Sequence, residues 1–194
     1  MCSTHPDRAR WDRRYADRPP PGALRPPQWL LECLDRLQLA PGRALDVACG
    51  EGHVAVELAR RGWEVEAFDV SMEALRRAQR LAERHGVRVG WFSADATRYP
   101  LPRARYDLIT VFLYLDRDVL PRVIPEALKV GGALVYETFT LEACGWPGFR
   151  VTNPRHLLEP NELFALYADR LRVYAYADLS DRERPVQRLL AMRC

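Results

Sequence analysis

Ala44-Leu45-Asp46-Val47-Ala48-Cys49-Gly50-Glu51-Gly52 runs from an apolar stretch through an acid into a Gly-x-Gly turn. Val54, Ala55, Leu58 and Ala59 follow at helical spacing, so the segment reads as strand, tight turn and helix. Glycines at such a turn let a ligand approach the backbone where a Cβ would collide. The helix behind the turn aims unpaired N–H groups at the same place. A second strand is expected over 64–68, with Asp69 at its end, about 20 residues beyond Gly50. A carboxylate there can accept hydrogen bonds from both hydroxyls of a ribose. The segment therefore predicts a nucleoside-cofactor site in a βαβ unit.

Two cofactor classes compete for that site. Gly50-x-Gly52-x-x-Ala55 also fits the loose dinucleotide fingerprint, which tolerates alanine at its third small position. Three features favour S-adenosylmethionine. Asp46 ends the first strand just before the turn, where an anion repels a pyrophosphate but suits a ligand bearing an ammonium and a sulfonium. Asp95, in Ser93-Ala94-Asp95-Ala96 after a third strand expected over 87–92, can accept a hydrogen bond from an exocyclic amine such as that of adenine. The C-terminal half is too short for a separate catalytic domain of the kind dinucleotide enzymes carry.

The chain resembles the class I S-adenosylmethionine-dependent methyltransferases over nearly its whole length. The resemblance rests on Leu45 to Gly52, Phe68-Asp69-Val70-Ser71, Ala94-Asp95-Ala96, Tyr106-Asp107-Leu108-Ile109 and Leu128-Lys129-Val130-Gly131-Gly132, in that order. One departure is Ala48, where the family usually has its first glycine. Within the class, Arg10-Trp11-Asp12-Arg13-Arg14-Tyr15 and Asn153-Pro154-Arg155-His156-Leu157-Leu158 are similar to the small tellurite-resistance and thiopurine-type enzymes. The resemblance implies a single-domain, Rossmann-like, doubly wound α/β sheet, mostly parallel and closed by a C-terminal antiparallel hairpin.

Periodicity supports that architecture. Residues 1–27 form an Arg- and Pro-rich arm, expected to act as a lid, and 28–194 the methyltransferase-type domain. Leu30, Leu31, Leu34 and Leu37 give an apolar stripe to a helix over 28–37. Strands are expected at 43–48, 64–68, 87–92, 106–111 and 132–137. Alternation with helices argues for parallel pairing and right-handed crossovers. Ser71 caps a helix whose inner face is Met72, Leu75, Ala78 and Leu81. Asp116 or Asp118 starts the helix after strand four, with Pro125 as a point of kinking. A last helix follows Glu159-Pro160-Asn161-Glu162, and 171–179 and 185–193 read as the closing hairpin.

Composition narrows the function. A chain of 194 residues with 48% hydrophobic content suits one domain with a substantial core. No apolar run approaches the roughly 20 residues of a membrane span, and the N-terminus lacks a signal-peptide pattern, so a cytoplasmic location is expected. The five scattered cysteines favour neither a disulfide framework nor a zinc site, and no metal is expected. A net charge of +3 carries no clustered basic footprint, because arginines alternate with acids as in Asp181-Arg182-Glu183-Arg184. Lys129 is the only lysine among 29 basic residues, a bias that points to a GC-rich coding sequence and not to a nucleic-acid partner.

Each candidate residue has a competing structural reading. Asp46 either serves the cofactor or caps the following helix. Asp69 is the expected ribose ligand, with Met72 either against the adenine or inside the core. Asp95 either accepts from adenine or caps a turn at Thr97. The resemblance places Ala48, Gly50, Gly52, Val70 and Ala96 along the cofactor, and it implies that an arm carrying Trp11 and Tyr15 closes over it. Phe112, facing either core or cofactor, and Tyr114 lie just past strand four. Tyr15, Phe112, Tyr114, His156, Arg182 and Arg184 are the candidates for the acceptor site. Glu137 to Leu158, with Trp146 and Phe149, is expected to be a long aromatic lid, and Arg150 a further cation for an anionic acceptor. Cys49 reads as a small apolar filler and not as a nucleophile. The expected reaction is in-line methyl transfer to a small molecule: a thiol or thiopurine, or next a chalcogen oxyanion. An RNA or protein methyltransferase, a silent cofactor-binding partner protein and a dinucleotide-dependent reductase are the alternatives. The sequence leaves oligomeric state open.

Overall fold

A computed structural model describes residues 7–19, 22–145, 154–182 and 184–194. The chain forms two compact units, 1–99 and 100–194. The first contains helices α1 (Arg8–Ala16) and α2 (Gln28–Leu37), then β1 (Arg43–Val47), α3 (His53–Arg60), β2 (Glu64–Asp69), α4 (Met72–Arg84) and β3 (Gly90–Ser93). The second contains β4 (Tyr106–Phe112), α5 (Leu120–Ala127), β5 (Leu128–Phe139), α6 (Glu162–Tyr167), β6 (Arg172–Asp178) and β7 (Val186–Met192). The seven strands form one sheet in the order β3-β2-β1-β4-β5-β7-β6. Pairing is parallel for β1 with β2, β2 with β3 and β4 with β5, and antiparallel for β7 with β5 and β6. This is the expected α/β architecture, hairpin included.

In the first unit, four of the five residues of β1 are buried, as a strand covered on both faces requires. Leu45, Val47, Ala67 and Phe68 of the strands and Leu58 and Leu81 of the helices are all at or below 1% exposure. Each such large side chain contributes about 1.5–3 kcal/mol on burial. Ser71 caps α4 as expected, its Oγ accepting from the Ala74 N–H at 3.1 Å. The expected inner face of that helix needs one correction: Met72 is 40% exposed. It opens the first turn of α4, while the buried stripe is carried by Ala74, Leu75, Ala78, Leu81 and Ala82. Strand three also begins later than expected, at Gly90. The Val87 N–H bonds back to the Ala82 carbonyl and Gly86 has φ +65°, so the end of α4 consumes the residues read as strand.

In the second unit, β5 starts at Leu128, well before the expected residue 132. Its register against β4 slips between Tyr106 and Leu108, and Gly131 at φ +79° takes up the irregularity. A Cβ on Gly132 would meet the Lys129 and Tyr106 carbonyl oxygens at 2.9 Å each, so only glycine fits there. Strand β5 also runs past residue 137. Glu137, expected where the strand gives way to the lid, is fully buried within the strand. In α5, Asp116 Oδ1 accepts from the Val119 and Leu120 N–H groups at 2.7 Å each, which selects Asp116 over Asp118 as the starting residue.

Candidate functional site

The glycine turn is held open by backbone conformation. Ala48, Gly50 and Gly52 have φ of +54°, +53° and +79°. The Cys49 N–H donates to the Phe68 carbonyl and the Gly52 N–H to the Cys49 carbonyl, both at 2.9 Å. A Cβ on Gly52 would lie 2.7 Å from both Ala78 Cβ and Trp91 Cη2, so the turn settles onto α4 and β3 only as glycine. No side chain caps the N-terminus of α3 behind it. That excludes the reading of Asp46 as its cap; Asp46 is 2% exposed within β1.

Asp69 is fastened to this turn. Its Oδ2 accepts from the Gly50 N–H and its Oδ1 from the Ser71 N–H, both at 2.9 Å. Burial raises its pKa more than the hydrogen bonds from Ser71, Gly50 and Val70 lower it. The Cys49 thiol is pushed well above its usual range, first by burial and then by the charges of Asp46 and Asp69. Cys49 is thus a protonated thiol, not a nucleophile. The Tyr15 hydroxyl is raised too, by burial and then by Asp69, Cys49 and Glu51, against Arg18. Two buried carboxylates, Asp46 and Asp69, therefore border the turn.

The arm docks on this surface. Trp11 and Tyr15 share a face of α1, their ring centroids 6.0 Å apart, and the Tyr15 hydroxyl lies 2.8 Å from where a Gly50 Cβ would be. Arg8 donates to the Val70 carbonyl at 3.0 Å and to Ser93 Oγ at 2.5 Å. Asp12 Oδ1 accepts from Ser71 Oγ at 2.6 Å and from the Glu73 N–H at 3.1 Å. Burial alone would raise the Asp12 pKa, but these bonds and the charge of Arg8 hold it below the usual range. Arg77 of α4, 4% exposed, donates to Glu51 Oε1 at 2.7 Å, to the Arg18 carbonyl at 3.2 Å and to the Pro19 carbonyl. Arg18 holds Glu51 Oε2 at 2.7 Å. Sequence reasoning missed Arg8, Asp12 and Arg77, whose only signal was charge on helices that also face solvent.

Asp95 follows the structural reading in part. Its Oδ1 accepts from Thr97 N–H and Oγ1 at 2.9 and 2.7 Å. Val70 is half-buried and Ala96 is buried.

The candidates of the second unit fall into two groups. Phe112 and Tyr114 flank Leu113, which has φ +59° and is 52% exposed. This bend is pinned by the Leu113 N–H on the Glu137 carbonyl and by the Tyr136 hydroxyl on the Tyr114 carbonyl, both at 2.9 Å. Arg184 and Arg188 both reach the buried Glu137, at 3.0 and 2.7 Å, so the two arginines share one carboxylate. Arg182 lies on the surface 3.5 Å from Asp181, and His156 is exposed in a 3-10 turn. Arg117, missed by sequence reasoning, clamps Glu162 through two bonds of 2.5 and 2.9 Å and donates to the Arg155 and Leu157 carbonyls. Trp146, Phe149 and Arg150 of the expected lid and acceptor site lie outside the described residues. Among the described residues, no group of three or more His, Cys, Asp or Glu side chains could hold a metal ion, and no helix is long and apolar enough to cross a membrane.

Residues 44–132 match the family model described as a methyltransferase domain. The demethylmenaquinone methyltransferase of Thermus thermophilus is 33% identical over 119 residues, covering 58% of this chain and 54% of that protein. The chain spans about half the length of the curated relatives it matches, or less. Geranyl diphosphate C-methyltransferase from Streptomyces coelicolor superposes with a TM-score of 0.75 at 17% identity, covering 100% of both chains. TehB from Haemophilus influenzae gives 0.66 at 19% identity, covering 84% of this chain and 62% of that one. The fold is that of Rossmann-like methyltransferases. Within it, the methyltransferase-domain match covers the glycine turn, Asp69 and Asp95.

Proposed function

We propose that this protein transfers a methyl group from S-adenosylmethionine to a small-molecule acceptor. The observation that carries the reading is a pair of buried carboxylates at the turn, Asp46 on β1 and Asp69 accepting from the Gly50 N–H at 2.9 Å, whose charges set the local field. Such a field opposes a pyrophosphate and favours a ligand carrying an ammonium and a sulfonium. When bound, that cofactor supplies an electrophilic methyl group. Asp69 would hold its ribose with the oxygen lone pairs left beyond the Gly50 and Ser71 bonds, and Asp46 its ammonium end. Met72 and Asp95 are the candidates for the adenine, and Trp11 and Tyr15 for covering the whole.

The chemistry needs little acid–base help. A bond forms between the acceptor atom and the methyl carbon as the sulfonium C–S bond breaks, its electron pair staying on sulfur, and a thiol acceptor sheds its proton to solvent. Alignment and exclusion of water dominate such a displacement. Phe112, Leu113 and Tyr114 are proposed as apolar acceptor contacts. A soft thiol or thiopurine is the leading acceptor class, a chalcogen oxyanion the next. A nucleic-acid substrate is disfavoured because Arg18 and Arg77 share Glu51, Arg184 and Arg188 share Glu137 and Arg117 holds Glu162, so these arginines are engaged within the fold and form no phosphate-binding stripe. The test is product formation from labelled cofactor against small thiols, thiopurines, selenium and tellurium oxyanions, amines and phenols. Turnover with a thiol or oxyanion is expected. Methylation of RNA or protein alone, or cofactor binding with no turnover on any class, would overturn the reading.

A further inference from the structure

Pro19, Pro20 and Pro21 carry no N–H group, so this stretch of the arm can be hydrogen-bonded only through its carbonyls, by donors from elsewhere. Helix α4 supplies such donors to the arm. Arg77 donates to the Arg18 and Pro19 carbonyls and, two helical turns on, Arg84 donates to the Gly22 carbonyl at 3.0 Å. The arm also meets the glycine turn residue by residue. The Tyr15 hydroxyl lies beside the place a Gly50 Cβ would take, Arg18 holds Glu51, and the Arg25 N–H donates to His53 Nδ1 at 3.2 Å.

Glu51 joins α4, the arm and the turn. It stands between Gly50 and Gly52, its Oε1 accepting from Arg77 Nε and its Oε2 from Arg18 Nη1, both at 2.7 Å. Arg77 engages all three of its nitrogens at once, one on the turn and two on the arm, through the rigid fork of a guanidinium. It is 4% exposed, so lifting the arm leaves a largely buried guanidinium short of two acceptors and takes Arg18 from Glu51. A ligand seated against the Gly50 and Gly52 backbone would fix the position of Glu51 and so favour the docked arm. We propose, on the cofactor reading of the turn, that Arg77 is a positioning residue: acting through Glu51, it ties the arm to the glycine turn, so that docking of the arm and binding of S-adenosylmethionine strengthen each other.

Amide hydrogen exchange of the full chain tests it. Helix α1 has nine residues, none of them fully buried, and isolated helices below about 12–15 residues are marginal, so its protection depends on docking. In the wild type, S-adenosylhomocysteine should slow exchange over residues 8–16 about tenfold. In the free protein, Glu51→Gln and Arg77→Met should speed that exchange about tenfold or more, with β1 and β4 still slow to exchange. By reciprocity both variants should bind S-adenosylhomocysteine more weakly, by the factor by which its protection of α1 falls. An arginine that merely packs α4 would leave both the α1 exchange and the affinity unchanged. Arg18→Met, a change at an exposed side chain, keeps Arg77 in place and carries the same test if Arg77→Met does not fold. Unchanged α1 exchange in folded Glu51→Gln and Arg18→Met overturns the proposal. So does faster exchange with undiminished affinity, which leaves the arm unlinked to the turn. If the wild type does not bind S-adenosylhomocysteine at all, the cofactor reading fails together with the linkage; binding without added protection of α1 defeats the linkage alone.

Discussion

Ala48 holds a left-handed backbone conformation, φ +54°, at a position where glycine would be unstrained. For an L-residue with a Cβ that geometry costs about 1–2 kcal/mol, against about 0.5–1 kcal/mol of extra chain entropy lost by glycine. Ala48→Gly should therefore leave stability unchanged or raise it by up to about 1 kcal/mol in urea unfolding. Gly52→Ala should do the reverse. Its Cβ would sit 2.7 Å from Ala78 Cβ and Trp91 Cη2 in addition to the unfavourable φ. Overpacking and backbone strain together predict a loss of roughly 2–4 kcal/mol. The Gly-x-Gly turn and Asp69 were legible because each repeats a local chemical requirement: a Cβ-free approach and an acid at a strand end. The bonds from Asp69 to Gly50 and Ser71 were not legible, since they depend on how β2 settles beside the turn. Asp95 was read with two roles, and its bonds to Thr97 supply the capping one.

Helix α1 and the Arg18–Pro19 segment are fixed by a few charged side chains, so their attachment depends on pH. Asp12 and Glu51 have pKa values lowered from 3.8 and 4.5, the hydrogen bonds and nearby arginines outweighing burial in each case. A carboxylate with a lowered folded-state pKa adds stability above its unfolded value and loses it as pH falls through the folded value. Docking of the arm should therefore be fully present at neutral pH and decline below about pH 4.5. Asp69 has the opposite sign, its raised pKa making protonation less costly in the folded state. Trp11 fluorescence against pH, compared between wild type and Asp12→Ala, checks the arm: the variant should show the acid-state signal at higher pH. Arg77→Met should cost about 2–3 kcal/mol, because Glu51 loses its buried partner but keeps Arg18. These arginines were opaque to sequence reasoning because a buried arginine and a solvated one look alike on an amphipathic helix. The helices and strands themselves were legible from apolar spacing. The misplaced strand starts, 87 instead of 90 and 132 instead of 128, mark the places where helix capping and a strand irregularity override it.

Over the whole molecule, the parallel pairing and the closing antiparallel hairpin are those expected from alternating elements followed by two strands in succession. What the sequence did not reveal is how its charges are spent: Glu137, read as the junction of strand five and the lid, is a buried strand residue shared by Arg184 and Arg188. Removing residues 1–15 should leave a protein that still unfolds cooperatively but turns over S-adenosylmethionine far more slowly, since the cover proposed for Trp11 and Tyr15 would be gone. Undiminished turnover in that truncation would show the arm to be dispensable. The claim on which the rest depends is that the turn and Asp69 hold S-adenosylmethionine, and titration calorimetry tests it most directly. S-adenosylhomocysteine should bind the wild type, nicotinamide dinucleotides should not, and Asp69→Ala should weaken S-adenosylhomocysteine by about 1.5–3 kcal/mol, one to two decades, while remaining folded. Binding of a dinucleotide by the wild type, or unchanged S-adenosylhomocysteine affinity in folded Asp69→Ala, would contradict it.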